Sequence, residues 1–549
     1  MNKMKKIVLA LLSLGVVCST SCSLLDTEPQ DFVTPSDFYN NAQEVDMAVA
    51  ATYAILAEGN LYGGNLLGRM GLSADIGYES YSSDYGTVGD YDVQPSDSKV
   101  AAYWRWYYNG INRANMLMEN IDKASDMSEA EKNRVRAEAR FLRGYYHFML
   151  VVRFNNIPLI LHSVSDANAE SVQIAQSTPR DTYLQIIADM EAAAADLPAA
   201  AVLEMPGRVS QSTAYGMLSR VCLYMAGYPV KEPGMYAKAR EYAEKVISNG
   251  YHRLNPSFQE LFLCYIQDRY DPQESLFEVE FYGNNEGAYT TTAGQVGRTN
   301  GIGCSAKEIP GTGQTLIDLF GYSIGAIRAT PYFLSLYETT DLRRDWTICP
   351  FSYNVNYPET GYKVALTSGD TWSRYCGKFR REYEVILPRS TNYTSINYPL
   401  LRYAEVLLNW AEAVAADPAN QSAEDLARAY ELVNQVRRRG YGVDIYTPNA
   451  EVDLETGDKW MLFEQIKDER PRELGFENLR KDDIVRWGEF NSRMRYLRQM
   501  VLTIPESYTS SYYANAKRYY ANSEARDEFW PIPTRELGVN RKLVQNPGW

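Results

Sequence analysis

Histidine is nearly missing from this chain. His147, His162 and His252 are the only three in 549 residues; they stand far apart and none has a partner at metal-ligand spacing. A metal centre or an imidazole base has little to draw on, and a satisfied, partly buried ring is the expectation for His147, which falls in a helical stretch. Cysteine is sparse too. Beyond Cys18 and Cys22 near the N-terminus remain Cys222, Cys264, Cys304, Cys349 and Cys376, an odd set at long, irregular intervals. No disulfide framework is written there, and buried free thiols are expected. Positive charge falls short: the formal net charge is -14, which argues against a nucleic-acid partner. The glycine-rich segments lack a phosphate-loop pattern. No motif among the 69 acidic residues isolates the carboxylate pair a glycosidase needs. The residues therefore point to no catalytic group, no metal and no cofactor.

The N-terminus carries an address. Lys3, Lys5 and Lys6 precede an apolar run from Ile7 to Val17, too short to span a bilayer and shaped like a secretory signal. Ser19, Thr20 and Ser21 then lead into Cys22, the arrangement a lipoprotein signal peptidase requires. A signal peptide over 1–21 and lipidation at Cys22 are expected.

What is abundant is tyrosine, 43 residues beside nine Trp and 17 Phe; its flat apolar face and hydroxyl suit recognition as well as packing. What is repeated is a helical hairpin. Shifting the stretch 214–251 by 190 positions onto 404–441 places Ala214 on Ala404, Leu218 on Leu408, Ala239 on Ala429, Val246 on Val436 and Gly250 on Gly440 without a gap. Small and apolar residues recur three or four apart, break, and resume until a Gly, as in paired antiparallel helices that stack on neighbours. The period resembles a tetratricopeptide repeat.

In chain order, Thr34 to Asp37 reads as a cap opening a helix through Tyr53, and Ser128 as the cap of another whose charged side (Glu131, Lys132, Arg136, Glu138, Arg140) reads as solvated. Glu274 to Phe281 alternates like a strand. Glu464 to Trp487 reads as helix broken at Pro471. Arg437, Arg438 and Arg439 read as ion-paired at a helix end. Trp104 and Trp106 sit at core spacing. Scaffold helices are thus expected over about 103–250 and 400–490, with loop-rich insertions over about 60–98 and 282–398. The fold class is mainly α: tetratricopeptide-like hairpins carrying long irregular loops and minor β.

The landmarks resemble the SusD/RagB family of outer-membrane nutrient-binding lipoproteins. Cys22, Leu25, Asp26 and Pro29 fit its start, and Trp104 through Asn115 and Ala139 through Arg143 fit two of its helices. Leu401 through Leu408, then Glu469, Arg470, Glu473, Glu477, Arg480, Asp483 and Arg486, fit its most recognisable blocks, and Trp530 through Pro533 with Asn546 to Gly548 fit its end. Asn478 departs from the pattern, standing where Gly is usual. The resemblance implies that residues 22–549 form one nutrient-binding unit, acylated and surface-exposed, which closes over a SusC-like TonB-dependent transporter and passes oligosaccharide to it unaltered. A peptide ligand is the alternative within the family; a hydrolase, or a pure protein-interaction scaffold, are alternatives outside it.

Sugar rings stack on aromatic faces while their hydroxyls need polar rims. Two loop regions supply both: Tyr78, Tyr81, Tyr85, Tyr91 and Asp84, beside Asp75, Asp90 and Asp92, in the first; Tyr289, Asn284 and Arg298 in the second. These are the candidate ligand-binding residues.

Overall fold

The computed structural model describes residues 38–164, 170–203, 206–283, 293–367, 369 and 371–549. Cys22 and the signal segment lie outside them, as do Thr34 to Asp37. The first described helix, α1 (Ala42–Tyr53), is capped later than expected, by the Asn41 side chain accepting the Glu44 amide at 2.9 Å. Next come α2 (Ser98–Asn120), opened by Asp97, and α3 (Glu129–Phe154), opened by a Ser128/Glu131 capping box. After α4 (Pro179–Asp196), the first repeated hairpin is α5 (Gln211–Ala226) with α6 (Gly234–Ile247); beyond α7 (Phe258–Ile266), the second is α8 (Tyr403–Ala416) with α9 (Ala423–Gly440). The two copies stack directly, α6 against α8. Ala214, Ala239, Ala243, Ala404 and Ala429 are fully buried where the backbones approach.

Helix α8 lies inside the scaffold, packed by α5, α6, α9 and α10 (Lys459–Leu474). Its polar residues Glu405, Asn409 and Glu412 follow helical spacing and each meets a buried arginine. Glu405 takes the Arg220 Nε at 2.7 Å, Asn409 Oδ1 takes Arg470 Nη1 at 2.8 Å, and Glu412 pairs with Arg486 of α11 (Arg480–Arg486). Pro471 does not break α10. The Lys467 carbonyl, which a proline four residues on cannot bond, accepts Arg480 Nη1 at 3.2 Å instead. The chain turns only at 475–479, where Phe476 and Asn478 take left-handed φ of 66° and 64°. Asn478 thus occupies a conformation that glycine adopts freely.

Two antiparallel strand pairs tie the irregular segments down: β1 (Gly77–Glu79) pairs with β3 (Ile327–Ala329), and β2 (Ser275–Val279) with β4 (Tyr398–Arg402). The strand expected over Glu274 to Phe281 forms as β2, shorter at both ends and buried on both sides. Its Glu278 is bonded by Ser275 Oγ and Asn397 Nδ2, and burial, then the nearby Glu280 and Asp268, push its carboxyl up to about 8.

A buried ionic knot joins these strands to the helices. Arg402 meets Glu274, Glu473 and Glu477 at 3.1, 2.8 and 2.8 Å; Arg439 meets Glu274 and Glu473; Arg343 meets Asp341 and Glu469 at 2.7 Å; Lys378 meets Glu477 at 2.6 Å. Burial alone would raise the Glu469 carboxyl; Arg343, Arg472 and Arg437 outweigh it and hold it near 2. The arginine triplet is ion-paired as expected, with Arg437 on Glu338 and Arg438 on Glu431 and Asp453. The charged side of α3 is not all solvated: Lys132 and Glu138 are buried, Glu138 accepting the Tyr53 hydroxyl and Arg208.

All five described cysteines are free and buried. His147 is satisfied, Nδ1 on the Arg143 carbonyl and Nε2 accepting the Ile160 amide, and burial lowers it to about 3. No helix among the described residues is long and apolar enough to cross a membrane.

Candidate functional site

The first insertion is mostly core. Between Leu61 and Glu79 nearly every residue is buried: Leu61 to Leu72 join the main core with Tyr103 of α2 and Tyr145 of α3, and Ala74 and Tyr78 pack against two C-terminal helices, α12 (Phe490–Leu502) and α13 (Ser511–Asn522). Asp75 makes a double hydrogen bond with Arg480 at 2.7 Å, and the Tyr520 hydroxyl bonds the carbonyls of Ala74 and Gly77. Tyr78 is 0% exposed, its hydroxyl donated to the Trp372 carbonyl. Tyr91 packs edge-on to Tyr519 and donates to the Gly71 carbonyl at 2.7 Å. Asp84 is buried between Arg69 and Lys99 at 2.8 and 2.9 Å. These three side chains build the floor and offer a ligand no surface in this arrangement. The local Gly, Ser and Asp content suggests an exposed loop; partners hundreds of positions away bury it.

Two expected residues remain accessible, Tyr81 and Tyr85. Tyr85 is 40% exposed. Its hydroxyl donates to Asn515 Oδ1 at 2.6 Å, and the Arg518 guanidinium stacks on its ring, 3.5 Å from the centroid. Asn515 in turn donates to the Ser80 carbonyl at 3.0 Å, and Ser80 Oγ reaches the Ala326 carbonyl at 3.3 Å. One turn before Asn515, the Tyr512 ring lies beside Arg328, whose guanidinium also stacks 3.7 Å above Tyr375. Tyr375 has room because Gly303 and Gly325 lie under it: a Cβ at either would come within 2.5 Å of the ring. Arg298 flanks this strip, its carbonyl accepting the Ile324 amide at 2.9 Å and its side chain bonding the Thr391 carbonyl at 3.0 Å. Asn284 and Tyr289 lie outside the described residues.

The result is a linked strip in which the partly exposed rings of Tyr85, Tyr375 and Tyr512 meet Arg518, Arg328 and Ser80 around the buried Asn515, with the partly exposed Tyr81 set against Arg69. The α13 contribution was not among the sequence candidates. Its signal was present: Tyr513, Ala516, Tyr519 and Tyr520 are buried at helical spacing, Asn515 is buried beside them, and Tyr512 and Arg518 stay partly exposed at the edge of that face. A separate groove of about 370 Å³ lies between α2 and the C-terminal segment, lined by Tyr108, Ile160, Val172, Val539 and Leu543, with Trp104 in its wall. Trp104 itself is core, as its spacing predicts.

Stacked helical hairpins presenting an aromatic, polar-rimmed face define a binding scaffold of the tetratricopeptide-like kind. The profile of the SusD family matches residues 273–549, and that of a SusD-like family described as starch-binding associating with outer membrane matches residues 24–223. The chain belongs to the SusD family. SusD-like protein P2 of Formosa agariphila is 28% identical over 562 aligned residues, covering 100% of both chains. The starch-binding protein SusD of Bacteroides thetaiotaomicron is 23% identical, covering 78% of this chain and 75% of that one. The crystal structure of a SusD homolog from Bacteroides thetaiotaomicron superposes with a TM-score of 0.82 at 27% identity, over 94% of this chain and 98% of the other.

Proposed function

We propose that this protein is a cell-surface glycan-binding lipoprotein that captures oligosaccharide on the Tyr85 and Tyr512 face and delivers it, chemically unaltered, to a SusC-like TonB-dependent outer-membrane transporter. The observation that carries this reading is the strip itself: Tyr85, Tyr375 and Tyr512, partly exposed and gathered from three distant stretches, with Arg518 and Arg328 among them. Family membership and the starch-binding description of the matching profile support it. Acylation at Cys22 would hold residues 22–549 at the outer membrane as one receptor unit. Non-chemical capture fits a face whose acidic neighbour, Asp84, is buried and neutralised by two cations.

Calorimetry against a polysaccharide panel, followed by product analysis after long incubation, tests the reading. Binding without cleavage is the expected outcome; released sugar would overturn the non-enzymatic role. Membrane purification is expected to bring a transporter down with the protein, and a consistently solitary protein would count against delivery.

A further inference from the structure

The arginines of this face differ from those of the ionic knot and of α10 and α11. Arg343, Arg402, Arg439, Arg470, Arg480 and Arg486 each meet a carboxylate within the fold. On the face, neither Arg518 nor Arg328 has a carboxylate within ion-pair distance among the described residues. Arg518 is held by stacking on Tyr85 and by one long hydrogen bond to Asn515 Oδ1, 3.3 Å. Arg328 stacks on Tyr375 and bonds only the Ser373 carbonyl and the Tyr375 hydroxyl, with its Nε unpartnered. Stacked on Tyr85 with a single long hydrogen bond, the Arg518 guanidinium keeps an edge that matches a carboxylate or sulfate in bidentate geometry, whereas Arg328 donates from both terminal nitrogens within the fold and its Nε is buried. Asp84, the acid that would offset these charges, is already spent on Arg69 and Lys99. A cationic, aromatic strip on a chain of net charge -14 disfavours indiscriminate polyanion binding and confines anion affinity to this spot.

We infer that the glycan this face takes is an acidic one, a carboxylate or sulfate group seated on Arg518 while its ring faces stack on Tyr85 and Tyr512. This rests on the glycan-binding reading of the same face. The turns of α13 space Tyr512 and Arg518 about 9 Å apart along its axis, so one sugar stacks while another presents its anion.

The test is a glycan array followed by calorimetry. It carries uronate-bearing and sulfated oligosaccharides, each beside its carboxyl-reduced or desulfated counterpart, and neutral glucans. The expected result is that an acidic oligosaccharide binds at least about tenfold more tightly than its neutralised counterpart. Arg518→Gln should remove about that factor, high salt should weaken binding, and Arg495→Gln, on the exposed side of α12, should behave as wild type. Which counterpart loses affinity tells carboxylate from sulfate. Neutral glycans bound equally well and indifferent to Arg518→Gln and salt, yet lost in Tyr85→Ala/Tyr512→Ala, would overturn the acidic ligand and leave glycan capture standing. No binder anywhere on the array, or affinity unmoved in the double tyrosine variant, would overturn glycan capture at this face and the acidic ligand with it.

Discussion

The ionic knot beneath α8 and the tyrosine face above α13 use the same residue types to opposite ends. In the knot, arginines are buried and matched by carboxylates, so the charge is spent on fixing where β2, β4 and the 341–378 stretch meet the helices. On the face, Arg518 and Arg328 stack on tyrosines with no carboxylate in ion-pair distance among the described residues, and Arg518 gives up only one long hydrogen bond. The lesson is that composition says little about role here: it is the pairing of each charge, set by long-range packing, that separates scaffold from recognition surface.

Substitutions can break that contrast. The largest effect belongs to the knot. Glu473→Ala leaves Arg402, Arg439 and Arg343 without a shared partner and should cost about 3–5 kcal/mol of stability, read by denaturant unfolding; a loss as small as a surface substitution gives would mean the knot is dispensable. On the face the expectation reverses. Tyr85→Ala combined with Tyr512→Ala should weaken glycan binding at least about tenfold while the melting temperature stays within a few degrees of wild type. If stability falls and affinity holds, the roles of the two regions are exchanged.

Glu278 sharpens the contrast, since it is buried and no cation lies within ion-pair distance of it among the described residues. Its folded-state carboxyl sits at about 8 against an ordinary 4.5. Its contribution to stability is therefore full below about pH 4.5 and is lost as pH rises toward about 8. Glu278→Gln should flatten this part of the pH profile and gain on wild type as pH increases, and urea unfolding at acidic and alkaline pH reads the difference. A slope equal to wild type would contradict the buried, protonated carboxyl. The smallest effect is at the turn after α10, where Asn478→Gly should add roughly 0.5–1 kcal/mol by relieving the left-handed φ; a loss of stability there would point to a contact made by the Asn side chain.

Much of the scaffold was legible in the sequence because it is locally encoded. The paired hairpins show as helical periodicity with small residues at the crossings, the Ser128 cap as a capping box, and the Arg437–Arg439 pairing as helix-end charge. The errors arose where a distant residue decides the outcome. Pro471 is tolerated inside α10 because Arg480 takes the freed carbonyl, and Glu138 is buried because Arg208 and Tyr53 come to it. The candidate site was half legible. Tyr81, Tyr85 and Arg298 lie on or beside the face, but Tyr78, Tyr91 and Asp84 are its floor. The other wall, Tyr512 to Arg518, stands some 430 positions from Tyr85, and no local pattern in 60–98 announces it.

The most direct test is a crystal structure of the protein soaked with the tightest-binding oligosaccharide from the array. The account predicts sugar rings against Tyr85 and Tyr512, with an anionic group on Arg518. Sugar seated instead in the groove of Tyr108, Ile160 and Val539, with the tyrosine face bare, would contradict it.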